Sequence, residues 1–459
     1  MHLIDEREPK ELKNYANIII NIMKKIQRIS VTLIALMIIG TQGVSASSFS
    51  FDKKEEAVDT TNYKIYTGKI IDASDQKALP FATIEAEGMN VATVTNIDGE
   101  FILKISKAKD VGNVKVSYIG YKNKVTSLEN YQNSKNKVIK LEPSSVSLQE
   151  VTIRPEDAEK LIKDVLANIR DNYSTEAMMM TAFYRETIKK KRNYVSISEA
   201  VVDIYKSPYE NDFRFDQVKL IQGRKSADVE KMDTVLFRVQ GGPVTTLLLD
   251  VVKNPYILLS NQYDKIYSFY VMDVISIDDR LHYVISFLQK ENISTPFYKG
   301  KLYVDMDRLA ITEAEFELNM ENEVEAAQMF IRKKPIGMSV IPKKAIYRSK
   351  YTIQENVWYF SYARAEVKFN VDWEKKLFNT SYSTMSEIAI TERSFQEVTK
   401  FENKERFKRS QVLDNLVYVF FDQDFWGEYN VIEPDQTIES AIKRLNKKYL
   451  KKLNSEPQP

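Results

Sequence analysis

The sequence predicts a mainly β protein: an N-terminal antiparallel β-sandwich followed by a larger curved antiparallel sheet or half-barrel with flanking helices. Three observations predict it. Short runs of β-branched and aromatic residues, bounded by turn formers, recur between Tyr66 and Leu141. Longer alternating runs follow, such as Ala363, Ala365, Val367, Phe369, Val371 and Trp373 set against Arg364, Glu366, Lys368, Asn370 and Asp372. The chain is also rich in rings, 26 Tyr and 22 Phe, which pack well on pleated surfaces.

The N-terminus reads as an export signal. Lys24, Lys25 and Arg28 precede an apolar stretch from Ile29 to Ile39, and Val44-Ser45-Ala46 supplies small residues for cleavage. The signal is placed at residues 23–46, behind an extension, residues 1–22, that an upstream start codon or a longer basic region would explain. The apolar stretch is short for a membrane span, and an uncleaved anchor is the alternative. Residues 47–61 are a polar lead into the sandwich.

The sandwich is placed at residues 62–143. Asp98-Gly99 between two alternating runs predicts a tight hairpin, because Gly accepts positive φ without a Cβ clash. Pro80 should open a strand or lie on an edge, and Gly120 should mark a bulge or bend. The ordered set Thr67-Gly68-Lys69-Ile70, Leu79-Pro80-Phe81-Ala82-Thr83-Ile84, Thr95-Asn96-Ile97-Asp98-Gly99-Glu100-Phe101 and Val116-Ser117-Tyr118-Ile119-Gly120-Tyr121 resembles the carboxypeptidase regulatory-like (transthyretin-like) domain. That family is common in Bacteroidetes cell envelopes and also extends their TonB-dependent receptors. The resemblance implies a non-catalytic sandwich in an envelope protein.

Residues 144–154 form a hinge, in which Ser147 to Ile153 resembles the segment that follows this domain in the receptors. The remaining chain is too short for a plug and a barrel of about 22 strands, so the receptor itself is excluded. Residues 155–172 should be a helix, opened by Pro155, with Ala158, Leu161, Ile162, Val165, Leu166 and Ile169 on one face.

Residues 173–433 read as a long β meander. Ala310, Thr312, Ala314, Phe316, Leu318 and Met320 alternate with Ile311, Glu313, Glu315, Glu317 and Asn319, predicting one buried and one wet face. Phe183-Tyr184-Arg185-Glu186 is expected to open a strand. Tyr298 to Asp305, returning through Leu309 to Thr312, resembles the half-barrel of periplasmic lipoprotein carriers, with a generic meander as the rival. Thr246 to Val252 predicts a short helix over the sheet mouth, and Met178-Met179-Met180 is core filler or lining for a lipid pocket. Residues 434–459 hold an amphipathic helix with Ile438, Ala441, Ile442, Leu445 and Tyr449 on one face and lysines off it. Such a basic helix can rest on an anionic membrane surface, with a solvated charged face as the commoner outcome.

Chemistry is sparsely provided. There is no Cys and only His2 and His282, so neither the two-His-one-Glu zinc site of a carboxypeptidase nor a Cys nucleophile can be built. No catalytic, cofactor or metal residue is assigned. Asp422 and Asp424, beside aromatics, are the remaining candidates for a carboxylate hydrolase. A net charge of +2 argues against nucleic acid as partner. The expected function is non-enzymatic binding or assembly in the periplasm or on the periplasmic face of the outer membrane, with a lipid or an envelope protein as partner and peripheral membrane contact. An accessory module of a TonB-dependent receptor or glycan-uptake system is the alternative.

Overall fold

The computed structural model describes residues 35–36, 62–109, 111–131, 137–144, 155–209, 215–227, 239–260, 262–291, 293–331, 336–374, 379–419 and 425–453. The signal apart from 35–36, the lead 47–61, hinge residues 145–154, and Asp422 and Asp424 lie outside the described residues.

The first body is a sandwich of two small sheets. Strands β1 (Tyr63–Asp72), β4 (Glu100–Ser106) and β7 (Val138–Leu141) form one sheet in the order β4-β1-β7. Strands β2 (Thr83–Ala86), β3 (Ala92–Val94), β5 (Asn113–Ser117) and β6 (Lys124–Ser127) form the other in the order β3-β2-β5-β6. Ile70, Ile84, Phe101, Leu103, Val116 and Ile139 fill the space between them. The Asp98-Gly99 turn is not a hairpin: β3 pairs with β2 and β4 with β1, so the turn carries the chain from one sheet to the other. Gly99 has φ +77° and its amide plane faces β1 so closely that a Cβ would lie 2.5 Å from the Ile70 carbonyl oxygen. Gly is therefore required here by a crossover as well as by a turn. Pro80 sits in the turn before β2, and Gly120 bends the chain with φ +77°.

The second body is one 11-stranded sheet. Its strands are β8 (Met178–Lys190), β9 (Asn193–Lys206), β10 (Gln217–Ala227), β11 (Tyr267–Ile277), β12 (Arg280–Gln289), β13 (Tyr298–Asp305), β14 (Ile311–Leu318), β15 (Met338–Gln354), β16 (Val357–Trp373), β17 (Thr380–Ser394) and β18 (Tyr418–Val419). The order across the sheet is β11-β12-β13-β14-β15-β16-β17-β8-β9-β10-β18. Every pairing is antiparallel except that of β18, which joins β10 in parallel. The sheet is open and curved, as expected, and bulges at Val201/Val202, Val271/Asp273 and Ile390/Glu392 interrupt its ladders.

Helices α1 (Pro155–Ala167), α2 (Gly242–Thr246) and α3 (Glu323–Phe330) share one core cluster with the sheet's concave side. A further turn of helix, Ile169–Asn172, follows α1. The last helix, α4 (Gln436–Leu453), lays Ile438, Ala441 and Leu445 against Tyr194 and Ile197. Its apolar face is thus spent on its own domain.

Two local expectations need correction. Phe183 to Glu186 lies in the middle of β8, not at its start. The alternation predicted for β14 fails at one end: Ile311 joins the inner core, because a register shift against β13 between Tyr303 and Val304 turns it inward, and Glu313 on the outer face is buried. The cause of the latter is a second layer over the sheet. Val94 of the sandwich and Trp426, Val431 and Ile432 of the tail pack against Phe183, Val201, Tyr362 and Ala389.

Candidate functional site

The covered outer face carries an unusual row of charge. Period-2 geometry places Arg224, Glu199, Arg185, Glu387 and Arg364 side by side on β10, β9, β8, β17 and β16, because each is the register partner of the next. Arg185 is enclosed. Its Nε donates to Glu199 at 2.8 Å, Nη1 to Glu387 at 3.3 Å and Nη2 to the Ile432 carbonyl at 2.7 Å. Glu199 also accepts from Arg224 Nε at 2.8 Å, and Glu387 accepts from the Tyr362 hydroxyl at 2.9 Å and from Arg364 Nη1 at 2.8 Å. Burial pushes the Glu199 carboxyl up, but Arg185 and Arg224 outweigh it and hold it below the usual range. Desolvation likewise opposes the Arg185 charge, and Glu199 and Glu387 overcome it.

The row continues through Arg348, Glu315 and Lys301 on β15, β14 and β13. Signs alternate along it with one break, Arg364 beside Arg348. Phe81 of the sandwich enters at that break. Its ring lies 5.0 Å from the Arg364 guanidinium and 5.6 Å from that of Arg348, and stacks on Tyr362 with centroids 5.7 Å apart. The negative ring face answers the doubled positive charge. Phe81 adopts φ +62°, rare for an aromatic residue, and Lys350 Nζ donates to its carbonyl at 3.0 Å.

Other contacts fasten the two bodies. Asn430 exchanges hydrogen bonds with the Lys104 backbone at 2.6 and 2.9 Å, Lys115 pairs with Asp278 at 3.1 Å, and the Gly120 N–H donates to the Ser276 carbonyl at 3.0 Å. Between them lies a cavity of about 40 Å³ lined by Glu85, Lys115, Tyr118, Glu313, Lys350 and Trp358. Trp358 Nε1 and Glu313 Oε1 have no hydrogen-bond partner among the described residues, and the space suits a few water molecules. Burial raises the Glu313 carboxyl and lowers the Lys350 ammonium from their ordinary values.

The concave face is filled by the chain. Leu247, Leu248, Leu249, Val251, Val252, Ile257, Leu258 and Leu259 belong to the same buried cluster as Tyr184, Ile204, Phe269, Phe287, Phe316, Phe360 and Phe369 of the sheet. Ala158, Ile162 and Val165 of α1 and Ala326 and Phe330 of α3 complete it. Met178 and Met180 are core residues here, and the short helix expected at Thr246 to Val252 is displaced: α2 ends at Thr246 and only a 3-10 turn, Leu247–Leu249, follows. Gly241 permits this with φ +82°, and a Cβ there would collide with Thr245 Oγ1.

The segment from 242 to 259, the plug, is secured by polar contacts as well as by its apolar side chains. Thr246 Oγ1 lies 3.2 Å from Ser386 Oγ. Asp250, fully buried, accepts from Lys206 Nζ at 2.6 Å, the Tyr209 hydroxyl at 2.7 Å and the Tyr351 hydroxyl at 2.8 Å. Lys206 also donates to Asp216 at 2.7 Å. Desolvation opposes its charge, but the two aspartates hold the ammonium above its usual range. Glu186 faces the same side with Tyr184 as a donor at 2.8 Å; desolvation raises its carboxyl to about 8.

Of the residues weighed for catalysis in the sequence, Asp422 and Asp424 lie outside the described residues and His282 lies within them. His282 is buried in β12 with Nδ1 2.9 Å from the Arg280 carbonyl and its ring edge-on to Trp358, and burial lowers its pKa. The sequence did not reveal the charge row, and of the plug it indicated only a short helix over the sheet mouth. The alternation of sign at register partners was the row's available signal, but the register was needed to see it.

Residues 66–153, about a fifth of the chain, match the CarboxypepD_reg-like domain family, and the sandwich resemblance holds. No curated protein matches the chain. Among solved structures, a putative outer membrane lipoprotein-sorting protein domain from Vibrio parahaemolyticus is similar at 10% identity and TM-score 0.21, over 55% of this chain and 96% of that one. A DUF1329 family protein from Desulfovibrio piger is similar at 11% identity and TM-score 0.23, over 54% and 98%. MucB in complex with MucA(peri) is similar at 11% identity and TM-score 0.17, over 50% and 94%. The lipoprotein-sorting domain is of the type that the strand pattern around Asp305 resembled. At such TM-scores these likenesses carry no argument about function.

Proposed function

We propose that this chain is an exported, non-enzymatic protein of the cell envelope that works in binding or assembly, with its sandwich and curved sheet acting as one body. One observation carries the reading: the concave face, where a carrier would hold its lipid, is occupied by the chain's own plug and helices. The fastened sandwich supports it, since a module docked through Phe81, Lys104 and Lys115 presents a fixed surface to a partner. No described helix is long and apolar enough to cross a membrane.

Native mass spectrometry and solvent extraction of the full chain test this. The mass of the bare polypeptide is expected. Phospholipid bound one to one would sink the reading in favour of a carrier. Co-purification of the full chain with a TonB-dependent receptor from envelope extracts would instead favour the accessory-module alternative.

A second reading, transient carriage of an acyl chain, is favoured by the way polar contacts converge on the plug at Asp250. The chain has no Cys, so a Thr246→Cys/Ser386→Cys pair forms a single reversible staple across the 3.2 Å contact. Under the second reading a fluorescent fatty acid binds the reduced variant and not the oxidised one. Under the first it binds neither.

A further inference from the structure

A basic surface gathers at one end of the large sheet, where the β8–β9 hairpin tip meets the middle of α4. The tip contributes Lys189, Lys191 and Arg192, and α4 contributes Arg444 and Lys447. The two elements touch: Arg444 Nη2 donates to the Tyr194 carbonyl at 3.3 Å, and Lys189 Nζ lies 4.2 Å from the centre of the Tyr194 ring. Lys191, Arg192, Arg444 and Lys447 are exposed. Together with Lys189 they carry more positive charge than the net +2 of the whole chain. Glu439, one turn further back on α4, is already engaged by Lys443 at 2.6 Å.

We infer that this end of the molecule docks on an anionic lipid bilayer surface. Three features select a bilayer over other anionic partners. The cations come from two elements in contact, a hairpin tip and the exposed side of a helix, and so form one continuous surface. They are lysine-rich point charges rather than a fork of arginines arranged for bidentate recognition. The apolar stripe of α4 is consumed by Tyr194 and Ile197, so attachment is electrostatic and does not insert the helix. A polybasic cluster gains roughly fivefold in membrane affinity for each Lys or Arg near the surface. The interaction should fade as added salt shortens the Debye length from about 8 Å to about 3 Å.

The test is co-sedimentation of the full chain with vesicles of phosphatidylcholine alone and of phosphatidylcholine mixed with phosphatidylglycerol. Binding to the mixed vesicles only, released by molar salt, is expected. A Lys191→Glu/Arg192→Glu/Lys447→Glu variant should lose at least a hundredfold in affinity, by the roughly fivefold each residue contributes. A Lys191→Gln/Arg192→Gln/Lys447→Gln variant guards against misfolding and should show an intermediate loss with an unchanged melting temperature. Equal binding to neutral vesicles, retention by both variants, or binding that survives molar salt would overturn the inference. So would competition in which soluble polyglutamate displaces the protein as readily as excess anionic vesicles do, which would assign the patch to an acidic polypeptide.

Discussion

The two faces of β8 are buried by opposite means. Outward, Arg185 lies in a charge row, paired with Glu199 and Glu387 and donating to the Ile432 carbonyl, while Glu387 accepts in addition from Tyr362. Inward, one residue along, Glu186 has Tyr184 as its donor and an apolar plug around it. The outer face is thus bound by matched polarity and the inner face by apolar fill with a few polar anchors. Desolvation is compensated on one side and left as a raised pKa on the other. The outer arrangement favours one register and one docking position. The inner one is more tolerant, and it is where a change of state would start.

The comparison breaks most visibly at its centre. Arg185→Met leaves Glu199 and Glu387 buried without their shared cation and should cost about 3–5 kcal/mol. Chemical denaturation checks this, and a cost below about 1 kcal/mol would mean that the row is solvated rather than matched. On the inner face the effect depends on pH. The folded Glu186 carboxyl titrates at about 8, against 4.5 as its ordinary value, so the proton is held more tightly in the native state. That stabilisation is complete below pH 4.5 and is lost as pH rises through 8. Glu186→Gln keeps the neutral shape and removes the loss. It should gain up to about 4 kcal/mol on wild type between pH 5 and pH 8.5. Parallel unfolding curves at the two pH values would show that the carboxyl is hydrated.

Lys206→Met sharpens the contrast from the anchor. It leaves Asp216 and Asp250 facing each other in a dry site, at a cost of about 3 kcal/mol. Because Asp250 belongs to the plug, the loss should be local, with amide exchange faster across residues 247–259 than in β16. Uniform acceleration would show that plug and sheet open only together.

Strand type and sheet content were legible because alternation is local. Ala365 to Val371 reads as a strand with an apolar face, and that face is buried. The Tyr298 to Asp305 strand and its return at Ile311 were legible for the same reason. What covers the other face was not. Glu313 and Arg185 look like solvent-side charges in any local window, and their burial depends on chain far away. Arg185 meets Glu387 at a separation of 202 residues, and Lys350 meets Phe81 at 269. The plug hid for a related reason: Thr246 to Leu249 shows its apolar content but not the glycine pair that sets where its helix begins.

The smallest effect is expected at the join. Phe81→Ala removes the ring between Arg348 and Arg364 and the stack on Tyr362, together about 1–2 kcal/mol for an exposed-to-buried cation–π and aromatic pair. Part of that is returned, because Ala carries less side chain into the left-handed conformation at φ +62°. The two guanidiniums then face each other across adjacent strands without a screen, so the residual penalty should grow as salt is lowered. Thermal melts of Phe81→Ala at low and high salt separate these contributions. A salt-independent shift would mean that the ring only fills space, and the break in the charge row would then be incidental to where the sandwich docks.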